Sequence, residues 1–262
     1  MKNEVLSRLP AGFPWRGNIH YFAITDSTNT RAKDLAVSGA PHGTVVIADC
    51  QTGGRGRMGR SFHSPAGMGV YLSVILRPGC PATDLMHLTC ATAVATADAV
   101  QAATGLRPGI KWTNDLVADS KKLGGILTEL TVNTAGKVDF AVVGIGINCG
   151  FIQFPQDIRD IATSLEICTQ RSIDRADVIA ALLTALEAMC QNLSDSKAIL
   201  AQYRKDCITV GRDISLIRGE EIRHGTALDV DESGALVVRF ADGQVAAVNS
   251  VEVSIRGMYG YV

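Results

Sequence analysis

Two apolar runs, Thr44-Val45-Val46-Ile47-Ala48 and Val70-Tyr71-Leu72-Ser73-Val74-Ile75-Leu76, stand on either side of the octapeptide Gly53-Gly54-Arg55-Gly56-Arg57-Met58-Gly59-Arg60. Such runs predict buried strands, so the octapeptide is a loop hung between two strands of a sheet, a place where sites are often built. Its four glycines let the backbone take positive φ and come close to a ligand. Its three arginines offer planar forks of donors that keep their charge. The mixture predicts a mobile cationic loop able to close over an anion. Taken alone, the octapeptide favours a plainer reading, a solvated basic loop or a fragment of an arginine–glycine RNA-binding segment. The rest of the chain decides.

The 262 residues suit one large domain or a domain with a small module. A hydrophobic fraction of 47% with 19% charged residues allows a filled core and argues against bulk disorder. The net charge of −1 makes the arginines of the loop a local feature, whereas a dedicated nucleic-acid binder is usually basic overall. Seven cysteines are scattered without CxxC spacing, which points to reduced cytoplasmic thiols and away from a disulfide framework or a zinc site. The five histidines form no HxxxH or HExxH pattern. No apolar h-region opens the chain and no run of roughly 18 apolar residues occurs, so neither a signal peptide nor a membrane span is expected.

Residues 1–17 predict an irregular lead-in and 19–24 a first strand. Asp26-Ser27-Thr28-Asn29 then caps a helix that stops at Gly39. Strands at 44–50 and 69–76 flank the loop, and an alanine-rich helix follows over 84–104. Gly109 to Trp112 is a short strand running into the polar turn Thr113-Asn114-Asp115. Lys121-Lys122-Leu123-Gly124-Gly125 opens a strand at 126–132; a hairpin turn at 133–136 returns the chain along 138–143 into Gly144-Ile145-Gly146-Ile147-Asn148. Residues 149–171 read as a long loop. Helical spacing covers 174–193 and 195–206. Short strands at 213–218, 221–230, 234–240, 244–248 and 251–255 predict a small antiparallel barrel. The expected domains are 1–208 and 209–262.

Arg55, Arg57, Arg60, Lys111 and Lys122 supply cations for phosphate oxygens. Asn114 and Asp115 supply hard oxygen ligands suited to Mg²⁺ with a nucleotide. Ser27, Thr28, Asn29 and Gln51 supply neutral donors and acceptors for an uncharged polar head group. Singly, each turn has a structural reading: Asn-Asp is an ordinary turn pair, a lysine before Gly-Gly can be solvated, and Gly-x-Gly-x-Asn can be a strand leaving a sheet. Together they suggest ATP-dependent activation of a small molecule. Neither a Walker A sequence nor a complete GxGxxG fingerprint occurs. No Ser/His/Asp or Cys/His arrangement is legible, so a covalent enzyme intermediate is not suggested.

In order and approximate spacing, five motifs resemble those of the biotin protein ligases. They are Ser27-Thr28-Asn29, Gln51 with Gly53 to Arg60, Lys111 to Asp115, Lys122-Leu123-Gly124-Gly125-Ile126-Leu127-Thr128-Glu129, and Gly144 to Asn148. The barrel looks like that family's SH3-like domain, so the resemblance runs from about residue 19 to 256. Three places depart from the family pattern: Thr113 stands where proline is usual, Met58 where a second basic residue is common, and Asn249-Ser250-Val251-Glu252-Val253 where an Ala-Gly-Glu-Val-like stretch is usual.

The resemblance implies an α+β fold: a catalytic domain with a mixed sheet, similar to class II aminoacyl-tRNA synthetases and lipoate ligases, followed by the small barrel. It implies that biotin and ATP, with Mg²⁺, form biotinyl-5′-AMP, and that the acyl group passes to a lysine of a biotin carboxyl carrier protein. The carrier would belong to acetyl-CoA carboxylase or another biotin-dependent carboxylase. By resemblance, Ser27, Thr28, Asn29, Gln51, Gly54, Arg55, Gly56, Arg57 and Lys122 hold biotin. Arg55, Arg57, Arg60, Lys111, Trp112, Asn114, Asp115, Gly144 and Asn148 serve the nucleotide. Lys122 and Arg57 are the catalytic candidates, and Asn114 and Asp115 the Mg²⁺ candidates.

Some relatives carry an N-terminal helix-turn-helix. Here fewer than 20 residues precede the first strand, among them Pro10, Gly12, Pro14 and Gly17, so neither a DNA-reading module nor a repressor role is expected. No membrane association is expected either. The family includes monomers and dimers, so a homodimer stays open. The nearest rival, a lipoate or octanoate ligase, typically carries an Arg-Arg-x-Ser-Gly-Gly-Gly run, which is absent here. The polar group at 27–29 with Gln51 also suits a ureido ring better than a fatty chain. A nucleic-acid-binding module is the rival of a different class.

Overall fold

A computed structural model describes residues 1–151, 153–249 and 254–257. In chain order the catalytic region holds α1 (Lys2–Arg8), β1 (Ile19–Thr25), α2 (Thr28–Val37), β2 (Thr44–Gln51), β3 (Gly69–Leu76), α3 (Leu88–Thr104), β4 (Gly109–Lys111), β5 (Asp115–Ala118), β6 (Lys121–Val132), β7 (Val138–Asn148), α4 (Leu165–Thr169), α5 (Arg175–Gln191) and α6 (Ser196–Asp206). Then come β8 (Asp213–Arg218), β9 (Glu221–Val230), β10 (Leu236–Phe240), β11 (Val245–Val248) and β12 (Ser254–Gly257).

The first seven strands form a mixed sheet in the order β1-β2-β3-β7-β6-β5-β4. β1 and β2 are parallel, which requires a crossover, and α2 supplies it. The other neighbours in this sheet are antiparallel. Side chains alternate across strands, and the two faces have different fates. On one face Val45, Ile47, Leu72, Val74, Ala141, Val143 and Ile145 join the main core with α1, α3, α5 and α6. Small side chains let α3 lie close to that core. Its buried Thr92, Thr96 and Thr104 donate back to the carbonyls four residues earlier at 2.9, 2.7 and 2.7 Å, so no hydroxyl is stranded.

On the other face Val46, Ile75, Phe140 and Val142 pack against Ala32 and Ala36 of α2. The same alternation continues past the helix to Ser73, Gly144, Gly146 and Asn148. There the apolar cover ends and a cleft begins.

The last five strands pair antiparallel in the order β11-β10-β9-β8-β12, the SH3-like unit. It is tied to the larger region by two hydrogen bonds: the indole N–H of Trp112, in the turn after β4, donates to the Gly234 carbonyl at 2.9 Å, and Arg204 Nε of α6 donates to the Val230 carbonyl at 2.6 Å.

Several expectations change. The lead-in is not wholly irregular: α1 forms because Val5 is buried in the main core and Arg8 pairs with Asp174 and Asp177 at the start of α5, so tertiary contacts rather than propensity make it a helix. The helix expected over 84–104 is a 3₁₀ turn at Ala82–Leu85 followed by α3. β5 was not expected. It turns into β6 through Asp119 and Ser120, both at positive φ (49° and 59°), the two-residue hairpin geometry usually carried by Asn-Gly. Within the expected loop 149–171, α4 is capped by Ser164, whose hydroxyl accepts from the Ile167 amide. Of the strand expected at 251–255, residues 251–253 lie outside the described residues, as does most of the Asn249–Val253 departure.

Candidate active site

The cleft encloses about 570 Å³ above the second face of the sheet. Its polar floor is a chain of hydrogen bonds. Ser27 lies two residues past the end of β1 at the N-cap position of α2, so Thr28 and Asn29 sit at the helix N-terminus, buried. The Thr28 amide donates to Gln51 Oε1 at 2.8 Å, and the Thr28 hydroxyl reaches the same oxygen at 3.2 Å. Gln51 Nε2 donates to Ser64 Oγ at 2.9 Å. The Ser73 hydroxyl lies 2.8 Å from Thr28 Oγ1 and 2.6 Å from Asn29 Oδ1. Asn29 Nδ2 donates to Glu129 Oε2 at 2.8 Å. These bonds hold neutral donors and acceptors in fixed rotamers, the requirement for reading an uncharged polar ring.

Two glycines keep that floor open. A Cβ at position 144 would come within 1.9 Å of Asn29 Oδ1, and one at position 146 within 2.6 Å of the Phe62 ring. The Gly-x-Gly-x-Asn stretch is thus a strand of the sheet whose inward positions are emptied for Asn29 and Phe62. Asn148 follows on the same face and donates to the Thr163 carbonyl at 2.9 Å.

The cationic side is held by the turn between β4 and β5. Asn114 is fixed to β6, donating from Nδ2 to the Ile126 carbonyl at 2.8 Å while its own carbonyl accepts from the Ile126 amide at 2.9 Å. Its Oδ1 accepts from Arg57 of the loop at 2.9 Å. Burial lowers the Arg57 guanidinium from its ordinary value, and Asp115 opposes that shift. Lys122 Nζ lies 2.7 Å from Asp115 Oδ1. The segment before α4 clasps the Lys122 backbone: the Lys122 amide donates to the Ile161 carbonyl at 2.7 Å, and its carbonyl accepts from Thr163 at 2.9 Å. Phe154, Ile158, Ile161 and Ala162 of that segment, with Ile255 of the barrel, add an apolar wall.

The glycine–arginine loop is a short hairpin over the mouth. Gly56 and Arg60 pair through a 2.7 Å hydrogen bond, and Met58 takes the left-handed conformation at φ 56° with its side chain exposed. Of the residues named from sequence, Ser27, Thr28, Asn29, Gln51, Arg55, Gly56, Arg57, Arg60, Lys111, Asn114, Asp115, Lys122, Gly144 and Asn148 all line this cleft. Gly54 and Trp112 do not. Gly54 packs against the Phe62 carbonyl and Ser64, and Trp112 is buried with its N–H directed to the barrel. Lys121 also stays off the cleft wall.

Sequence reading gave no role to Ser73, Ser64 and Phe62, nor to Glu129 at the end of the Lys122–Glu129 motif. Ser73 carried a signal, being a hydroxyl in the middle of an apolar strand. Of the metal candidates, Asn114 accepts from Arg57 through Oδ1 and Asp115 pairs with Lys122. No group of three or more His, Cys, Asp or Glu residues is arranged for a metal among the described residues. Burial pushes the Cys90 and Cys149 thiols up to about 12, so they stay protonated and are poor nucleophiles. No helix among the described residues is long and apolar enough to cross a membrane.

Comparison with known proteins places this geometry. The profile of the Biotin/lipoate A/B protein ligase family matches residues 21–148, and that of the Biotin protein ligase C terminal domain matches residues 209–256. The Bifunctional ligase/repressor BirA of Bacillus subtilis is 35% identical over 90% of this chain and 73% of its own length. The Biotin--[acetyl-CoA-carboxylase] ligase of Mycobacterium tuberculosis is 33% identical over 93% of this chain and 90% of its own. The structure of the biotin protein ligase from Aquifex aeolicus in complex with biotin and ATP superposes with a TM-score of 0.78 at 28% identity, covering 92% of this chain and 99% of that one. The matching profiles, the relatives and the cleft agree: this chain is a ligase that belongs to the biotin protein ligase family.

Proposed function

We infer that the chain catalyses ATP-dependent biotinylation of a lysine on the carrier subunit of a biotin-dependent carboxylase, by way of biotinyl-5′-AMP. One observation carries the assignment of roles within the site. A single cleft joins a neutral hydrogen-bonded floor (Ser27, Thr28, Asn29, Gln51) to a cationic side (Lys111, Arg57, Lys122) across two emptied strand positions. A molecule with an uncharged polar ring at one end and a carboxylate at the other fits that polarity, with the carboxylate delivered to the cations.

In the first step an oxygen of the biotin carboxylate forms a bond to the α-phosphorus of ATP while the bond to pyrophosphate breaks. Lys122 and Arg57 stabilise the negative charge that builds on the non-bridging oxygens. Lys111, Arg55 and Arg60 counter the remaining phosphate charge. Gly144 and Asn148 form part of the adenylate wall. Magnesium bound with ATP would offset negative charge on the phosphates. Asn114 and Asp115, which line the cleft, are the residues that would hold that ion. In the second step the carrier's ε-amine attacks the acyl carbon and AMP leaves. Closing the loop excludes water, which would otherwise hydrolyse the adenylate.

We place the domain boundary at 208/209, the protein in the cytoplasm, and a homodimer among its accessible states. The test is incorporation of radiolabelled biotin into an acetyl-CoA carboxylase carrier domain. Lipoate in place of biotin is the competing substrate, and nucleic-acid binding is the control. Labelling by lipoate alone, or no labelling with tight nucleic-acid binding, would overturn the assignment.

A further inference from the structure

Glu129 belongs to no part of the scheme above, yet it stands where the floor of the cleft meets the loop. It lies on β6 two residues beyond Leu127, a cleft residue, and so points to the same face. Its side chain is 27% exposed. One oxygen, Oε2, accepts from Asn29 Nδ2 at 2.8 Å; the other, Oε1, accepts from Arg55 NH2 of the loop at 3.0 Å. The Asn29 amide is held from its other end by Ser73, which also contacts Thr28, and Thr28 in turn holds Gln51. One carboxylate therefore connects the loop to the head-group floor, with a donor bound at each oxygen.

We propose that Glu129 is a positioning residue, a latch that couples closure of the Gly53–Arg60 loop to the ordered state of the biotin floor. Resting on the functional reading above, it gives that site a way to retain its intermediate. With the floor ordered, Asn29 turns its NH₂ to Glu129, and Glu129 presents its second oxygen to Arg55. The loop, costly to order because of its glycines, then gains a charge-assisted anchor. When Asn29 loses its alignment the anchor is weakened. The chemistry of the position is specific. An amide of the same shape has an accepting oxygen at only one of the two positions, so in this geometry it must turn its NH₂ group toward either Asn29 or Arg55.

The test uses the full chain with biotin, magnesium ATP and no carrier, comparing release of biotinyl-AMP into solution with formation of pyrophosphate. E129Q is expected to raise adenylate release relative to pyrophosphate formation about tenfold, equivalent to about 1.4 kcal/mol. R55Q, which removes the loop half of the contact together with the phosphate contact assigned to Arg55, is expected to raise it by at least that factor. The E129Q/R55Q double variant should release adenylate no faster than the worse single variant, because both break one link. A residue that only supported the fold would lower the unfolding midpoint without this shared effect on release. Multiplicative effects in the double variant, or unchanged release in both singles beside an active wild type, would overturn the latch. A wild-type protein that forms no biotin-dependent pyrophosphate would overturn the functional reading itself. If E129Q does not fold, R55Q alone decides: normal retention of adenylate by R55Q rejects the latch.

Discussion

The two ends of one sheet face use the same strands and do opposite things. Under α2, positions 75, 140 and 142 hold Ile, Phe and Val, and the face closes into a small apolar core with Ala32 and Ala36. One or two pleats along, the registered positions hold Ser73 opposite Gly144 and Tyr71 opposite Gly146, and the face opens into the cleft. Backbone geometry is common to both ends. The size and polarity of every second side chain decide whether a strand makes a core or a binding floor. The helix contributes in the same way: its middle brings alanines to the core, and its first turn brings Thr28 and Asn29 to the floor.

This contrast can be broken from either end. Phe140 is 2% exposed and fills the closed end, so F140A should cost about 3–5 kcal/mol of stability. The protein that remains folded should adenylate biotin at the normal rate. Chemical denaturation beside pyrophosphate release per folded molecule measures both, and a rate that falls in step with stability would show that the two ends are not separable. At the open end K122A should behave inversely, lowering adenylation by roughly 10²–10³, or about 3–4 kcal/mol, with the unfolding midpoint unchanged. K121A should change little, because Lys121 is off the cleft wall. Single-turnover pyrophosphate release compares the two, and a K121A defect larger than that of K122A would refute the placement of the site.

Smaller effects sharpen the comparison. G144A puts a Cβ 1.9 Å from Asn29 Oδ1. Displacing Asn29 should cost on the order of 1–3 kcal/mol, read as weaker biotin binding in a calorimetric titration. Unchanged affinity would mean that the floor is more plastic than its hydrogen bonds suggest. The smallest effect belongs to Thr113, whose buried Oγ1 has no hydrogen-bond partner among the described residues. T113V keeps the shape and removes the unsatisfied hydroxyl, so it should stabilise by about 1 kcal/mol. A lower denaturation midpoint would indicate an ordered water at that hydroxyl.

Much of the fold was legible because it rests on local periodicity. The strands around the glycine–arginine loop, the helices at Arg175–Gln191 and Ser196–Asp206, and the small antiparallel unit carry period or turn chemistry that needs no partner to be read. The elements missed are those whose stability comes from elsewhere. α1 depends on docking Val5 and on Arg8 meeting α5, and α4 has only five residues. The Asp119–Ser120 turn uses residues for which positive φ is less usual than for Asn-Gly.

The sequence by itself determined which chemical groups were available: neutral polar side chains at 27–29 and 51, cations at 55, 57, 60, 111 and 122, and glycines at 144 and 146. Order and spacing were enough to place them in one family. Only the tertiary structure decided which of these groups meet. Pairing β6 with β7 sets Leu127 opposite Gly144 and Glu129 opposite Val142, which brings a carboxylate from residue 129 to an amide from residue 29. Such contacts join residues about a hundred positions apart, and no local pattern encodes them. Trp112 depends on such a contact too: its indole donates across the junction to Gly234, because a large apolar ring beside a polar turn is more stable buried against the barrel than left in the cleft.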